Sequence, residues 1–502
     1  MAMEPEAADT ADAYGERHFG AATFAEFDPL APAHHAAAAA LFDRLVGAGF
    51  GPARAAALFG AADLADVRAN RAAYYDTFLL PHDDAGRAAR FFVLHRPEPE
   101  AELRSWLGDA TVDFLIAMAA IVARDGGLQS LVSASWFGGR LIFADARAYN
   151  AVWPGDPFVD YVMPPGGDSV GLARVAPRTP RGATLDLCCG PGTQTLAAAE
   201  YSERVVGVDI NPRALRFARF NAAVNRIEHA TFVLGDVYES LGAERFDAII
   251  ANPPFVPWPP DDVELYYRGG GMHGDDVLAR ILSGAVTRLE PEGSLAVVAD
   301  FANAMTLAAR IARWQGVPRR TLIVLQHHYE LLGYAETHTA HYDDTDRRQA
   351  QTVRLLQHFD LADIRSLDFG YIVQDGTPGP ARLVHTTAPL SASISDDVAA
   401  WFAHQRRLAA GDVADVPLEL APGLRLVDVA ERTADGATTA ACYVAPGPAS
   451  LHQAGPVSRG AFALLIRVAA GGLRPRDVTE PDAVRELSVL LQLGLILFGA
   501  TS

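Results

Sequence analysis

The rhythm of apolar and polar positions changes twice along the chain. Up to about Asp145 it is mostly helical: "PAHHAAAAALFDRLVGAGF" and "GPARAAALFG" place apolar residues at spacings of three and four and stop at glycines. Past "TVDFLIAMAAIVARDGG", the runs "LQSLVSAS" and "GRLIFAD" are short and extended, with a Gly-containing turn between them. Helices followed by a small hairpin suggest a winged-helix shape. From about residue 170 to 380 short runs alternate with helical segments. "ATLDLCCG", "RVVGVDI", "ATFVLGD", "FDAIIAN", "GSLAVVAD" and "RTLIVLQ" each meet polar or Gly residues at their C-terminal ends. Such alternation predicts a parallel sheet covered on both faces, with ligands at the carboxyl ends of its strands. After "LDFGYIVQDGTPGPARLVH" the pattern breaks again. The helical stretches "DDVAAWFAHQRRLAA", "RGAFALLIRVAAGG" and "PDAVRELSVLLQLGLILFG" follow, the last two joined by "LRPRDVTE" in the manner of a second helix-turn-helix or winged unit.

The expected fold is therefore a doubly wound α/β core, Rossmann-like, flanked by two accessory domains. The expected boundaries are 1–169 for a helical, winged-helix-like domain, 170–384 for the core, and 385–502 for a small α+β domain. A chain of 502 residues is long for one core, so several domains are the natural division.

Charge narrows the function. The formal net charge is −19 and every basic residue is Arg, which argues against a protein whose main task is neutralising a phosphate backbone. The candidate wing "ASWFGGRLIF" holds a single Arg, so packing, dimerisation or covering a substrate suits it better than reading nucleic acid. Of the three cysteines, Cys188 and Cys189 are adjacent and Cys442 is remote, poor geometry for a disulfide framework. The first residues are acidic and lack a signal peptide's apolar core, and "DFLIAMAAIVA" is about half the ~20 residues that span a bilayer. A cytoplasmic protein without a membrane segment is expected.

The chemistry begins in "LDLCCGPGTQT". A strand ending in Asp186, a turn with Gly190 and Gly192, and a helix opening at Thr193 make a nucleotide-type site, because glycines let the backbone approach a ligand and a helix start offers free N–H groups. The next strand ends in Asp209 and Ile210, about 20 residues on, where a carboxylate can accept both ribose hydroxyls. The third ends in Asp236 and Val237, where a carboxylate can accept from an adenine amine. Nicotinamide enzymes share the first two features. The fourth strand departs from them, ending "DAIIANPPFVPWPP".

With that fourth strand the set resembles the class I S-adenosylmethionine-dependent methyltransferases. More narrowly it is similar to the branch with an Asn-Pro-Pro-aromatic signature, which includes the release-factor glutamine methyltransferases and the adenine and guanine amino methyltransferases. The resemblance covers residues 170 to 380. It extends to "YYRGGGMHGDDVLARIL", similar to the Gly-rich turn and helix after the signature, and to "YVMPPGGDSVGL", which lacks the Arg and Thr of the matching loop in the glutamine branch. It implies S-adenosylmethionine as cofactor, held by Asp186, Cys188, Gly190, Gly192, Thr193, Asp209, Ile210, Asp236, Val237 and Asn252. Asn252, Pro253, Pro254 and Phe255 become the catalytic residues, and no metal is expected.

Methyl transfer from a sulfonium is an in-line displacement, and an amide nitrogen is a poor nucleophile whose lone pair is delocalised. If the Asn252 side-chain oxygen and the Pro253 carbonyl accept its two N–H groups, they aim that nitrogen and favour the charge developing on it. Consecutive prolines stiffen the corner, and Phe255 can stack on a planar acceptor. The expected acceptor is an uncharged nitrogen in a small metabolite or a peptide side-chain amide. Alternatives are a base amine of RNA or DNA, sulfur or oxygen in specialised metabolism, and a scaffold that binds the cofactor without turnover. A homodimer through the accessory domains fits the organisation. Two further stretches invite roles: His327, His328, His338 and His341, in no ordinary zinc spacing, as part of an acceptor pocket, and Trp258, Tyr266 and Tyr267 as a lid.

Overall fold

A computed structural model describes residues 29–62, 64–67, 71–124, 126–146, 160–260, 266–340, 342, 344–385, 393–411, 413–432, 438–445 and 455–499. The N-terminal module contains α1 (His35–Gly47), α2 (Asp84–Phe92), α3 (Glu100–Leu107) and α4 (Asp109–Ala117). Their apolar faces meet around Leu41, Leu45, Phe91, Phe92, Leu107 and Leu115, all essentially inaccessible to water. Asp83 caps α2, its carboxylate accepting from Gly86 N at 2.9 Å.

The apolar run after α4 does not continue as helix. Ala119 is left-handed (φ 51°), and the β-branched pair that follows opens β1 (Ile121–Arg124), antiparallel to β2 (Gly127–Ser130). A second hairpin joins β3 (Val132–Phe137) to β4 (Arg140–Asp145) through Gly138 and Gly139, whose φ values of 53° and 76° match the turn that suits twisted strands.

The core follows α5 (Gly167–Val175). Its elements are β5 (Arg181–Leu187), α6 (Thr193–Ala198), β6 (Ser202–Asp209), α7 (Pro212–Val224), β7 (Ala230–Leu234), β8 (Phe246–Ala251), α8 (Asp276–Arg288), β9 (Leu289–Ala302), α9 (Leu307–Gln315), β10 (Arg319–Tyr329), α10 (Leu331–Thr339), α11 (Thr345–Leu361), β11 (Leu367–Pro378) and β12 (Ala381–His385). The strands form one sheet in the order β12-β10-β11-β9-β8-β5-β6-β7. From β7 to β9 the neighbours run parallel, as the alternation predicts. β11 is the exception, antiparallel to both β9 and β10. The helices α10 and α11 return the chain to the end that β10 has just left, so Leu367 pairs with Tyr329 and the new strand must run backwards.

Alternating side chains cover two faces. Leu185, Leu187, Val206, Val208, Ile249 and Leu295 pack with Leu278, Ile281 and Leu282 of α8 and Leu307 of α9. Val205, Ile250, Ala296, Val298 and Leu322 pack instead with Leu172 of α5 and with Trp401 and Phe402 of α12 (Ser395–Ala410). Beyond α12, β13 (Leu418–Leu420), β14 (Arg425–Arg432), β15 (Thr438–Ala445), β16 (Gly455–Val457), α13 (Arg459–Ala469), α14 (Pro481–Leu493) and β17 (Ile496–Phe498) build a small α+β unit. Its own core includes Leu465, Leu487, Leu490 and Ile496.

The N-terminal module is joined to the core by a bidentate ion pair between Asp145, at the end of β4, and Arg213, in the first turn of α7. Both side chains are almost wholly buried, and Asp145 also accepts from Val162 N at 2.7 Å. Removing one partner leaves a buried charge uncompensated, so Arg213→Ala should cost about 3–5 kcal/mol in urea unfolding. A loss below ~1 kcal/mol would mean that the joint is solvated.

Candidate active site

The carboxyl ends of β5, β6, β7 and β8 open onto one cavity of about 960 Å³. The sequence-predicted residues Asp186, Cys188, Gly190, Thr193, Asp209, Ile210, Asp236, Val237, Asn252, Pro253, Pro254 and Phe255 all line it. Gly192 shapes it from behind: it is left-handed (φ 81°) and caps α6.

Each strand end presents its polar group in a different way. Asp186 is 1% exposed; its Oδ2 accepts from Thr195 Oγ1 at 2.6 Å, and its Oδ1 has no hydrogen-bond partner among the described residues. Burial pushes its carboxyl up to about 7. Asp209 is tied to the glycine turn, with Oδ2 accepting from Gly190 N at 2.8 Å and Oδ1 from Asn211 N at 2.9 Å. Burial raises this carboxyl too, against the backbone donors that lower it. Asp236 is half-buried and paired at 2.9 Å with Arg280 of α8, which also lines the cavity. Burial drives the thiols of Cys188 and Cys189 well above the usual range, so they sit there as neutral groups. The ends of β5, β6 and β7 thus offer carboxylate oxygens to the cavity, and the unpartnered buried oxygen of Asp186 suits a cationic group.

At the end of β8, Asn252 is held by its side-chain nitrogen. Its Nδ2 donates to Asp168 Oδ2 at 2.7 Å and to Ser169 Oγ at 3.3 Å, so both N–H groups are engaged and Oδ1 remains the acceptor. Asp168 and Ser169 open α5 and line the cavity. Sequence reading missed them: a polar pair after two glycines signals a helix start, and only the fold carries it to a partner more than eighty positions away.

The proline corner is held by backbone. Val256 N donates to Arg268 O at 2.9 Å, Gly270 N to Val256 O at 2.9 Å, and Trp258 N to Gly271 O at 3.0 Å. Gly274 is left-handed (φ 77°), and a Cβ there would lie 2.3 Å from Phe255 O, so only glycine allows this approach. The turn is anchored in turn by His358, which bonds Met272 O at 2.9 Å, and by His273, which bonds Ala362 O at 3.1 Å.

Of the three aromatic residues expected to form a lid, two reach the cavity. Tyr266 and Tyr267 line the cavity, and Tyr267 meets Tyr161 edge-to-face at 5.5 Å. Trp258 does not face it; the indole is buried in a cluster with Tyr334 and Phe359, with the Arg268 guanidinium 4.7 Å from its ring centre. The histidines scatter. His338 lines the cavity, His328 bonds Asp368 at 2.8 Å, His327 meets Tyr329 edge-to-face, and His341 lies outside the described residues. Among the described residues no three His, Cys, Asp or Glu gather as a metal-holding group, and no helix is long and apolar enough to cross a membrane.

The wall that carries Thr337 and His338 is fastened by a buried acid. Asp300, near the end of β9, accepts from Tyr334 Oη at 2.8 Å, and the Tyr334 ring lies against that of His338, tilted, with centroids 4.2 Å apart. Burial, helped by the nearby Asp168 charge, pushes the Asp300 carboxyl up to about 7.

The chain is similar to known proteins over this core. The family described as "Methyltransferase small domain" matches residues 169–310. The release factor glutamine methyltransferase of Deinococcus radiodurans is 31% identical over 265 residues, covering 49% of this chain and 86% of that protein. The ribosomal protein uL3 glutamine methyltransferase of Bradyrhizobium diazoefficiens is 35% identical over 142 residues, covering 26% of this chain; the match spans only 44% of that relative's length. Among solved structures, a T. thermophilus 16S rRNA methyltransferase in complex with AdoMet and guanosine is 22% identical, covers 40% of this chain and 55% of that one, and has a TM-score of 0.26.

The raised carboxyl of Asp300 makes stability depend on pH. Its folded value of about 7 exceeds the unfolded 3.8, so its contribution is present below about 4 and is lost as pH rises through 7. Asp300→Asn keeps an acceptor for Tyr334 and removes that loss. The melting temperature of Asp300→Asn relative to wild type should rise between pH 4 and pH 7 and level off above. A difference that stays flat across the range would show that Asp300 does not titrate there.

Proposed function

The chain belongs to the same family as the release factor and ribosomal protein glutamine methyltransferases, class I S-adenosylmethionine-dependent enzymes, and on that premise we propose that it methylates the side-chain amide nitrogen of a glutamine in a protein. The observation that carries this reading is the state of Asn252. Its N–H groups are occupied by Asp168 and Ser169, so a hydrogen-bond acceptor is left in the same cavity as the carboxylates of Asp186, Asp209 and Asp236.

When bound, S-adenosylmethionine would supply a methyl group on a sulfonium. Asp209 would take the ribose hydroxyls, Asp236 the purine amine and Asp186 the cationic end, while Gly190, Gly192, Thr193 and the backbone at Cys188, Ile210 and Val237 would shape the contact. Asn252 Oδ1 and the Pro253 carbonyl accept the two amide N–H groups of the acceptor, and Phe255 packs on its plane. Each such bond contributes ~1.5–3 kcal/mol, whereas holding the two reactants in line is worth roughly 7–11 kcal/mol. Rigidity of the proline corner therefore matters more than the strength of either bond. Asp168 acts through Asn252 as a positioning residue.

A protein acceptor is favoured over nucleic acid by the acidic net charge of −19 and by the wing-like hairpin, whose β4 lies against α7. In this reading the accessory modules present the protein acceptor or a second copy of the chain. The enzyme works in the cytoplasm, in keeping with three free cysteines.

Purified protein incubated with methyl-labelled S-adenosylmethionine and fractionated cytosol should place label in protein, and peptide mass spectrometry should locate it on glutamine. Label confined to RNA or to small molecules would overturn the acceptor assignment. Asn252→Ala should lower turnover on the order of 10²-fold with donor affinity little changed. Asp209→Ala should weaken donor binding first, so the two variants separate in calorimetry and in kcat.

A further inference from the structure

Helix α7 carries Asn221, and Asn225 caps its C-terminal end four positions on; both side chains meet β4. Each amide pairs with one strand residue as a neighbouring strand would. Phe143 N donates to Asn221 Oδ1 at 2.8 Å, and Asn221 Nδ2 donates back to Phe143 O at 2.8 Å. Leu141 N donates to Asn225 Oδ1 at 2.9 Å, and Asn225 Nδ2 donates back to Leu141 O at 2.7 Å. Leu141 and Phe143 are alternate residues on the edge of β4 that faces away from β3, so two side chains from a helix seal a strand edge.

The two asparagines differ in their remaining donor. That of Asn225 turns back onto the last turn of α7, to Asn221 O at 2.8 Å. That of Asn221 reaches Pro191 O at 2.8 Å, in the Gly190-Pro191-Gly192 turn that lines the cavity. Asn221 is fully buried, and its amide has no spare group: two donors and one acceptor are all engaged. The turn is thus fixed at two adjacent residues, at Gly190 by Asp209 and at Pro191 by Asn221.

We propose that Asn221 is a positioning residue for donor binding, through which β4 of the N-terminal module sets the shape of the glycine turn. The proposal rests on the assignment of that turn to S-adenosylmethionine. Asn225 is its internal control, because it makes the same pairing with β4 while its remaining donor goes to Asn221 O rather than to the turn.

The test compares full-length wild type, Asn221→Leu and Asn225→Leu, reading the Kd of S-adenosylhomocysteine by calorimetry, thermal stability, and deuterium exchange over residues 188–194. Both variants lose one β4 pairing and should melt at similarly lowered temperatures. Asn221→Leu alone frees the Pro191 carbonyl, which at ~1–1.5 kcal/mol for one buried hydrogen bond corresponds to a roughly five- to tenfold weaker Kd. Faster exchange in the turn should accompany it, while Asn225→Leu binds within about twofold of wild type. Equal Kd values in the two variants, or unchanged binding in Asn221→Leu, would overturn the proposal. If Asn221→Leu fails to fold, Asn221→Ser gives the same comparison, since its short hydroxyl cannot span from β4 to Pro191. Wild type that does not bind S-adenosylhomocysteine would refute the donor assignment instead, so the two failures are distinguishable.

Discussion

Strand β5 ends where its neighbours part company. The chain leaves it through α6 to β6 on one side, while β8 flanks it on the other, so no connection covers the gap above its carboxyl end. A cavity at that place follows from topology before any side chain is chosen. What the sequence adds is polarity: an acid at each of β5, β6 and the turn after β7, and an amide after β8. Sinking acids there is unfavourable in the empty protein, and the carboxyl of Asp186, pushed up to about 7 by burial, registers that cost. A cation arriving in the crevice relieves it. The same desolvation that destabilises the site when empty thus favours the ligand for which it is shaped.

On the other side of the crevice the problem is direction rather than charge. A carboxamide can turn over and exchange its oxygen for its nitrogen, and only one orientation accepts a hydrogen bond from an incoming amide. Asp168 removes the ambiguity at 2.7 Å, because a carboxylate can receive only from the nitrogen side. The corner behind Asn252 has little freedom of its own, with Gly270 and Gly274 pressed against the backbone of Phe255. On the proposed mechanism, orientation is therefore settled before an acceptor binds, and little ordering entropy would remain to oppose the reacting geometry.

The site was legible in the sequence wherever its signal was local. A strand, a glycine turn and an acid lie within a few residues of one another in "LDLCCGPG" and in "VVGVDI", and the proline corner announces itself in four letters. What could not be read is what depends on pairing across distance. Asp168 gains its role from Asn252, and Asn221 from Phe143 and Pro191. The reversed direction of β11 depends on where two helices deliver the chain, which its apolar run does not encode. Local signals also misled: "IAMAAIVAR" has a helix-compatible composition, yet it is divided at Ala119, and Trp258, in an exposed-looking Pro-rich stretch, is buried beneath Arg268.

The accessory modules are fastened to the core by buried polar groups as well as by apolar contact. Asp145 meets Arg213, Asn221 and Asn225 meet β4, Arg406 of α12 reaches Asp375 of β11 at 3.1 Å, and His404 bonds Leu491 O at 2.9 Å. Apolar faces tolerate sliding, since a leucine is content against many neighbours. A buried amide or ion pair is not: displaced by an ångström it leaves donors and acceptors unmet, each costing ~1–3 kcal/mol. Joints of this kind add less stability than a hydrophobic replacement would, but they fix angle and register. If the acceptor is a protein, as proposed, that fixity would hold any surface of these modules that grips it in place relative to the corner proposed to aim its nitrogen. At the N-terminal joint the two demands coincide in a single helix, α7, whose first turn holds Arg213 and whose later turn holds Asn221.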